Sequence, residues 1–66
     1  MNRDIFGGNW KQFTGKVKEK WGELTDDDLQ AIDGKKDQLV GRLQEKYGYS
    51  RERAQQEADD FERNMG

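Results

Sequence analysis

Three consecutive aspartates, Asp26, Asp27 and Asp28, form the densest group of potential metal ligands in the sequence. Carboxylate oxygens are the ligands that Mg²⁺ and Ca²⁺ prefer, but calcium loops place them at alternate positions around a glycine. The triplet does not have that spacing. Acidic residues in the first turn of a helix stabilise the positive end of the helix dipole. We therefore interpret the triplet as the start of a helix, and we predict no metal-binding residues.

The side chains needed for nucleophilic catalysis are scarce. The sequence contains no cysteine and no histidine, which removes the usual thiol nucleophile and the usual general base near neutral pH. Ser50 is the only serine, and no such base accompanies it. A chain of 66 residues also has little volume for a deep pocket. We predict that the protein is not an enzyme and has no catalytic and no cofactor-binding residues.

Lysines in the first third of the chain raise the alternative of a nucleic-acid-binding face. Residues 1–24 carry an excess of basic side chains, whereas the remainder is acidic. The whole chain, however, has a net charge of −2 and a pI of about 5.0, and nucleic-acid-binding domains usually have a dense basic patch and a pI above about 9. A weak nucleic-acid-binding helical hairpin is therefore the least favoured function.

The composition lies near the boundary between folded and disordered chains. Charged residues make up 39% and hydrophobic residues 30% of the sequence, a balance that limits core formation. The small net charge and the 11% of aromatic residues favour a folded domain, with a thin stability margin. We predict a single domain over residues 1–66, with frayed ends at 1–8 and 62–66.

The sequence contains no recognisable targeting or membrane segment. A signal peptide needs an apolar core of about 7–15 residues, and a membrane helix needs about 20. Asp4 and two glycines interrupt the N-terminal residues, and no later apolar run approaches that length. We predict a cytoplasmic protein without membrane insertion, as a monomer or a weak homo-oligomer.

Apolar residues recur at steps of three and four, which is typical of helices. The two longer stripes indicate helices one and three, and shorter stripes at Leu29–Ile32 and Ala54–Phe61 indicate helices two and four. The first stripe could also serve a membrane surface or a partner, but removing it would leave little to fold around. The predicted core comprises Trp10, Phe13, Val17, Trp21, Leu39, Leu43 and Tyr47.

Helix boundaries are marked by glycines and capping residues. Gly22 is predicted to end helix one in the left-handed conformation. Thr25 is predicted to cap helix two in a capping box with Asp28, and Leu24 and Leu29 fit a hydrophobic staple. The same order recurs later, with Gly48 as the stop, Ser50 as the cap, and Tyr49 and Ala54 at the staple positions.

These junctions belong to an internal repeat, in which FTGKVKEKWG at 13–22 aligns with LVGRLQEKYG at 39–48. The repeat predicts two helical hairpins packed into a small all-α bundle with pseudo-twofold symmetry. Gly15 and Gly41 occupy equivalent positions, and we expect them to permit close helix approach. Asp33-Gly34 is expected to separate helices two and three, because an interior glycine costs about 1 kcal/mol; one long helix is the alternative.

The stretch from Gly7 to Tyr49 resembles the CsbD-like family of small bacterial proteins. The resemblance is carried by Trp10, GKVKEKWG, LTDDDL, Gly34-Lys35 and LVGRLQEKYG, and it continues more loosely to Phe61. The resemblance implies a compact helical bundle without an established active site. It also implies that the protein is produced under general stress or in stationary phase. The partner is unknown, and a protein partner is compatible with the sequence.

Two functions from different classes follow. The first is a folded, non-enzymatic general stress-response protein that acts through binding or abundance. The second is a hydrophilin-like, largely disordered protectant, which eight glycines and a mean hydropathy of −1.36 would suit. The aromatic stripe and the repeated caps favour the first.

Overall fold

The computed structural model describes residues 10–65, which form four helices connected by short turns. They are α1 (Trp10–Lys20), α2 (Asp26–Ile32), α3 (Lys36–Tyr47) and α4 (Arg51–Met65). The all-α prediction with four helices is therefore confirmed. The fraying expected at 1–8 falls outside the described residues. Fraying at 62–66 stays a prediction, although α4 is helical through Met65.

Large apolar side chains from all four helices meet in one core. α3 packs against both α2 and α4. α1 is held by Trp10, whose indole hydrogen-bonds to α2, and by Trp21 just after the end of α1, whose ring packs against Phe61 of α4. The predicted stripes are buried except at Phe13 and Tyr47, which are half-buried and packed against the edge of the core. The buried apolar residues are Trp10, Val17, Trp21, Leu24, Leu29, Ile32, Leu39, Val40, Leu43, Ala54, Ala58 and Phe61.

Both predicted caps are present. The Thr25 hydroxyl accepts a hydrogen bond from the Asp28 amide at 3.2 Å, and the Asp28 carboxylate accepts one from the Thr25 amide at 2.9 Å, which completes the capping box. Ser50 accepts from the Arg53 amide at 3.1 Å. Leu24 and Leu29 of the predicted staple are both buried in the core.

Helices two and three are separate. Asp33 and Gly34 have φ values of 50° and 77°, in the left-handed region where short polar residues and glycine are tolerated best. The Lys35 amide then donates to the Ile32 carbonyl at 2.9 Å, which closes the turn. The alternative of one long helix is therefore wrong.

The two glycine stops differ. Gly48 has a φ of 70°, and its amide donates to the Gln44 carbonyl, as predicted. Gly22 does not have positive φ, so the prediction of a left-handed Gly22 is wrong. The first helix instead ends at Lys20, and the Leu24 amide donates to the Trp21 carbonyl at 3.1 Å. This turn reverses the chain without the left-handed conformation.

Gly15 and Gly41 do not mediate close helix contacts. A Cβ atom at either position would have no atom within 4 Å apart from its chain neighbours and the backbone of its own helix, because both glycines lie on exposed helix faces. The expectation of close approach at these glycines is therefore wrong. The helices meet instead through bulky side chains, such as Trp21 and Phe61, whose ring centroids are 5.2 Å apart.

Candidate functional site

Asp28 is the most buried charged residue that the structure describes, with 4% of its surface exposed. Besides the Thr25 cap, its carboxylate lies 3.1 Å from Nη1 of Arg42 and 3.2 Å from Nζ of Lys46. Both cations belong to α3, so one carboxylate caps α2 and joins it to the next helix. The sequence predicted the cap, whereas the cations were missed.

The surroundings of Asp28 stabilise its ionised form. The hydrogen bond from the Thr25 amide is the largest influence and lowers the pKa of the Asp28 carboxyl below its ordinary value, with further lowering by Lys46 and the Thr25 hydroxyl. Burial acts in the opposite direction but does not prevail. The carboxyl therefore stays ionised at neutral pH and is a poor general acid.

A second cluster joins α3 to α4. The Lys36 ammonium, at the start of α3, pairs with the carboxylate of Asp59 and lies 3.3 Å from that of Glu62. The hydrogen bond to Asp59 is the main reason why the pKa of Lys36 is raised above its ordinary value. This lysine is therefore held in its charged form, which is unsuited to act as a nucleophile or a base.

Two lysines of α1 contact acidic residues of neighbouring helices. Lys18 lies 2.9 Å from Asp26 of α2, and Lys20 lies 3.8 Å from Glu57 of α4. Both pairs are substantially exposed, so each contributes little to stability, but they reduce the free positive charge of the α1 surface. This arrangement lends no support to the nucleic-acid alternative.

Two tyrosines and an arginine stack on one another around the turn between α3 and α4. The rings of Tyr47 and Tyr49 stack with centroids 5.2 Å apart, and the Arg53 guanidinium lies 4.4 Å from the Tyr49 centroid. The Tyr47 hydroxyl also accepts a hydrogen bond from the Glu23 amide at 3.1 Å. Tyr47 therefore connects the α1–α2 turn to the α3–α4 turn, which explains why it lies at the edge of the core.

A groove of about 570 Å³, called the α1–α2 groove below, lies between the first half of α1 and the outer side of α2. Two nearly buried side chains of its lining, Trp10 and Leu29, are linked by a hydrogen bond of 3.1 Å from the indole Nε1 to the Leu29 carbonyl. Its lining residues are Trp10, Lys11, Thr14, Asp26, Leu29, Gln30 and Asp33.

The aspartate triplet is divided among different contacts. Asp28 belongs to the buried cluster, Asp26 pairs with Lys18, and Asp27 is exposed. Among residues 10–65, no three acidic side chains are grouped so that they could hold a metal ion. Within the same range, no helix is long and apolar enough to cross a membrane.

A family model described as CsbD-like matches residues 4–56. The chain belongs to the CsbD-like family. UPF0337 protein YjbJ of Escherichia coli strain K12 is 63% identical over 62 residues, covering 94% of this chain and 90% of the relative. UPF0337 protein PA4738 of Pseudomonas aeruginosa is 66% identical over 61 residues, covering 92% and 94%, respectively.

The CsbD-like match and the folded unit have different limits. The family model ends at residue 56, within α4, but Ala58 and Phe61 of the same helix are buried in the core. Asp59 and Glu62, which pair with Lys36, also lie beyond residue 56. In this chain, the CsbD-like fold is therefore completed by residues outside the match.

Sequence reasoning missed the interhelical ion pairs for a specific reason. Asp28 and Arg42 are 14 positions apart, and Lys36 and Glu62 are 26 apart. Neither pair has the spacing of three or four residues that signals a contact along one helix. The only available signal was that Arg42 and Lys46 are themselves four apart on α3, so one carboxylate can reach both.

Proposed function

We propose that the protein is a non-enzymatic general stress-response protein that acts in the cytoplasm, as a folded helical domain, through binding or through abundance. The stress role is what the CsbD-like resemblance implies. The non-enzymatic part is supported by one observation: Asp28 and Lys36, whose pKa values are shifted, are both occupied by contacts between helices. Shifted groups in enzymes more often face a cleft, where substrate can reach them.

The folded state is essential to this proposal. Within residues 10–65, twelve apolar residues are buried, and no buried side-chain nitrogen or oxygen lacks a hydrogen-bond partner. Buried polar side chains that all have hydrogen-bond partners are typical of folded native proteins. This core favours the folded protein over the hydrophilin-like protectant, which would require no core.

Genetic complementation tests both parts of the proposal. A strain of the source bacterium that lacks the gene for this protein is compared with the parent strain for survival in stationary phase and after osmotic shock. The deletion strain is then complemented with the wild-type chain, Trp21→Ala or Gln12→Ala. Trp21→Ala removes a buried ring just after α1, whereas Gln12→Ala changes an exposed position within α1. Immunoblotting is used to match the cellular levels of the three complementing chains.

We expect the deletion to reduce survival, and the wild-type chain and Gln12→Ala to restore it. Trp21→Ala should fail at equal abundance, because it lacks the folded domain. Unchanged survival of the deletion strain under both conditions would contradict the stress role. Full rescue by an unfolded Trp21→Ala chain would instead support the protectant.

A further inference from the structure

The outer face of α1 carries a ridge formed by Lys11, Gly15 and Glu19, called the α1 ridge below, and all three residues are exposed. Residues four apart on a helix form such a ridge. Lys11 and Glu19 are about 12 Å apart along the helix axis, with Gly15 midway between them. Gly15 and Glu19 lie opposite the buried Val17, and Lys11 also borders the α1–α2 groove.

The α1 ridge has no partner within the part of the chain that the structure describes. No ion pair there involves Lys11 or Glu19, whereas Lys18 and Lys20 are paired with other helices. Glycine weakens a helix interior relative to alanine, but neither positive φ nor a contact with another helix requires it at position 15. The ridge therefore offers open backbone between two free charges of opposite sign.

This arrangement is self-complementary. When two identical helices cross antiparallel about a twofold axis, the residue four positions before the crossing point faces the residue four positions after it. With Gly15 at the crossing point, Lys11 of one copy faces Glu19 of the second copy, and symmetry forms the same pair twice. The missing side chain of Gly15 lets the two backbones approach. Gln12 faces Lys18 of the second copy, so this register brings no like charges together.

The equivalent ridge of α3 does not have this property. The repeat places Gly41 and Glu45 at the positions of Gly15 and Glu19, but Asp37 stands where α1 has a lysine. Two α3 helices crossing at Gly41 would place Asp37 against Glu45 twice, which is repulsive. A crossing of α1 on α3 would combine one attractive pair with one repulsive pair. Charge therefore selects α1 against α1, although both glycines are exposed.

We propose that the α1 ridge is a self-association surface, on which a second copy of the chain binds with its own α1 crossing antiparallel at Gly15. One pair of short helices buries less than the about 1,200–2,000 Å² of a stable interface. Exposed ion pairs also contribute little each, so the dissociation constant is on the order of 0.1–1 mM. At this affinity the fraction of dimer follows the abundance of the protein. The surface does not depend on the proposed stress role.

Self-association is measured on the ¹⁵N-labelled full chain by amide chemical shifts and by sedimentation equilibrium, from dilute samples to samples above the expected dissociation constant. We expect concentration-dependent shifts centred on Gly15 and a mass that rises toward that of a dimer. A chain that stays monomeric at the highest concentration, or shifts confined to the other helices, would overturn the proposal.

Charge reversal tests the register. Lys11→Glu and Glu19→Lys each bring like charges together twice, and each should weaken self-association about fivefold or more. An equimolar mixture of the two variants should restore association, because each variant supplies the charge that the other has lost. Glu45→Lys makes the same change at the equivalent position of α3 and should have no effect. A mixture that associates no better than the separate variants would contradict the antiparallel register.

Glycine variants test the close approach. Gly15→Gln places a long side chain at the crossing point and should weaken association about tenfold or more, because the two backbones can no longer approach. Gly41→Gln makes the same change on the α3 ridge and should leave association unchanged. Glutamine favours a helix over glycine, so both variants should keep the fold, which circular dichroism checks. Equal association of the two variants would show that the α1 ridge is not the contact.

Discussion

The Asp28 carboxylate lies 3.1 Å from the Arg42 guanidinium, and this ion pair joins the first turn of α2 to the middle of α3. The same carboxylate accepts the Thr25 amide and contacts Lys46. One buried side chain thus fixes where α2 begins and how it is oriented against its neighbour.

Replacing Asp28 with asparagine should destabilise the fold by about 2 kcal/mol. Fully buried ion pairs cost about 3–5 kcal/mol when broken, but the cations here are about one-third exposed. Urea unfolding followed by tryptophan fluorescence measures the effect. Asp27→Asn is the matched control, since that side chain is exposed, and it should change stability by less than about 0.5 kcal/mol. Equal midpoints for the two variants would contradict the structural role of Asp28.

The free energy of unfolding should also depend on pH through the Asp28 carboxyl. The pKa of this carboxyl is lowered in the folded chain, so its contribution is present above the unfolded-state value of about 3.9 and is lost as pH falls through the lower folded-state pKa. The difference in unfolding free energy between the parent and Asp28→Asn should be constant near pH 6 and should shrink below about pH 4. A difference that grows on acidification would indicate the opposite shift.

The Trp21–Phe61 contact should make the end of α4 essential. Trp21→Ala and Phe61→Ala each remove a large buried ring and should cost about 3–5 kcal/mol, enough to unfold a small domain. A chain ending at residue 56, where the family match ends, should likewise fail to melt cooperatively in circular dichroism. Gln12→Ala serves as the exposed control. A cooperative transition of the truncated chain at the parental temperature would show that α4 is dispensable beyond residue 56.

The two N-caps should respond differently to aspartate. Thr25→Ala and Ser50→Ala should each cost about 0.5–2 kcal/mol, because each leaves a helix amide without its acceptor. Ser50→Asp should be tolerated. Thr25→Asp should be worse than Ser50→Asp, since the new carboxylate would face the Asp28 carboxylate that contacts Thr25. Urea midpoints at constant slope report these differences, and parental midpoints for both alanine variants would show that the caps are unimportant.

The effect of a glycine-to-alanine substitution on stability should depend on the backbone conformation at that position. Gly15→Ala and Gly41→Ala should each stabilise the protein by about 0.5–1 kcal/mol, because alanine favours a helix interior and its Cβ meets open space. Gly48→Ala should destabilise it, since φ at this position is 70°. Thermal melts of the three variants provide the comparison. Loss of stability at both helix-interior positions would indicate a packing role that these exposed faces do not suggest.

The sequence by itself determined the features that depend on neighbours along the chain. The positions of the four helices and both caps were predictable, because apolar periodicity and capping involve residues about three or four positions apart. The left-handed stop at Gly48 belongs to the same class. For these features, local backbone geometry is sufficient. The break at Gly34 was expected from the cost of an interior glycine, but the sequence left one long helix open as the alternative.

Only the tertiary structure decided which distant side chains meet. It assigned Arg42 and Lys46 to Asp28, placed Asp59 and Glu62 beside Lys36, and brought Lys11 and Asp33 to one groove. It also left the repeated glycines on open surfaces and closed the turn at Gly22 without positive φ. These outcomes depend on the rotation and direction of whole helices, which bulky side chains set by packing and which no short sequence pattern encodes.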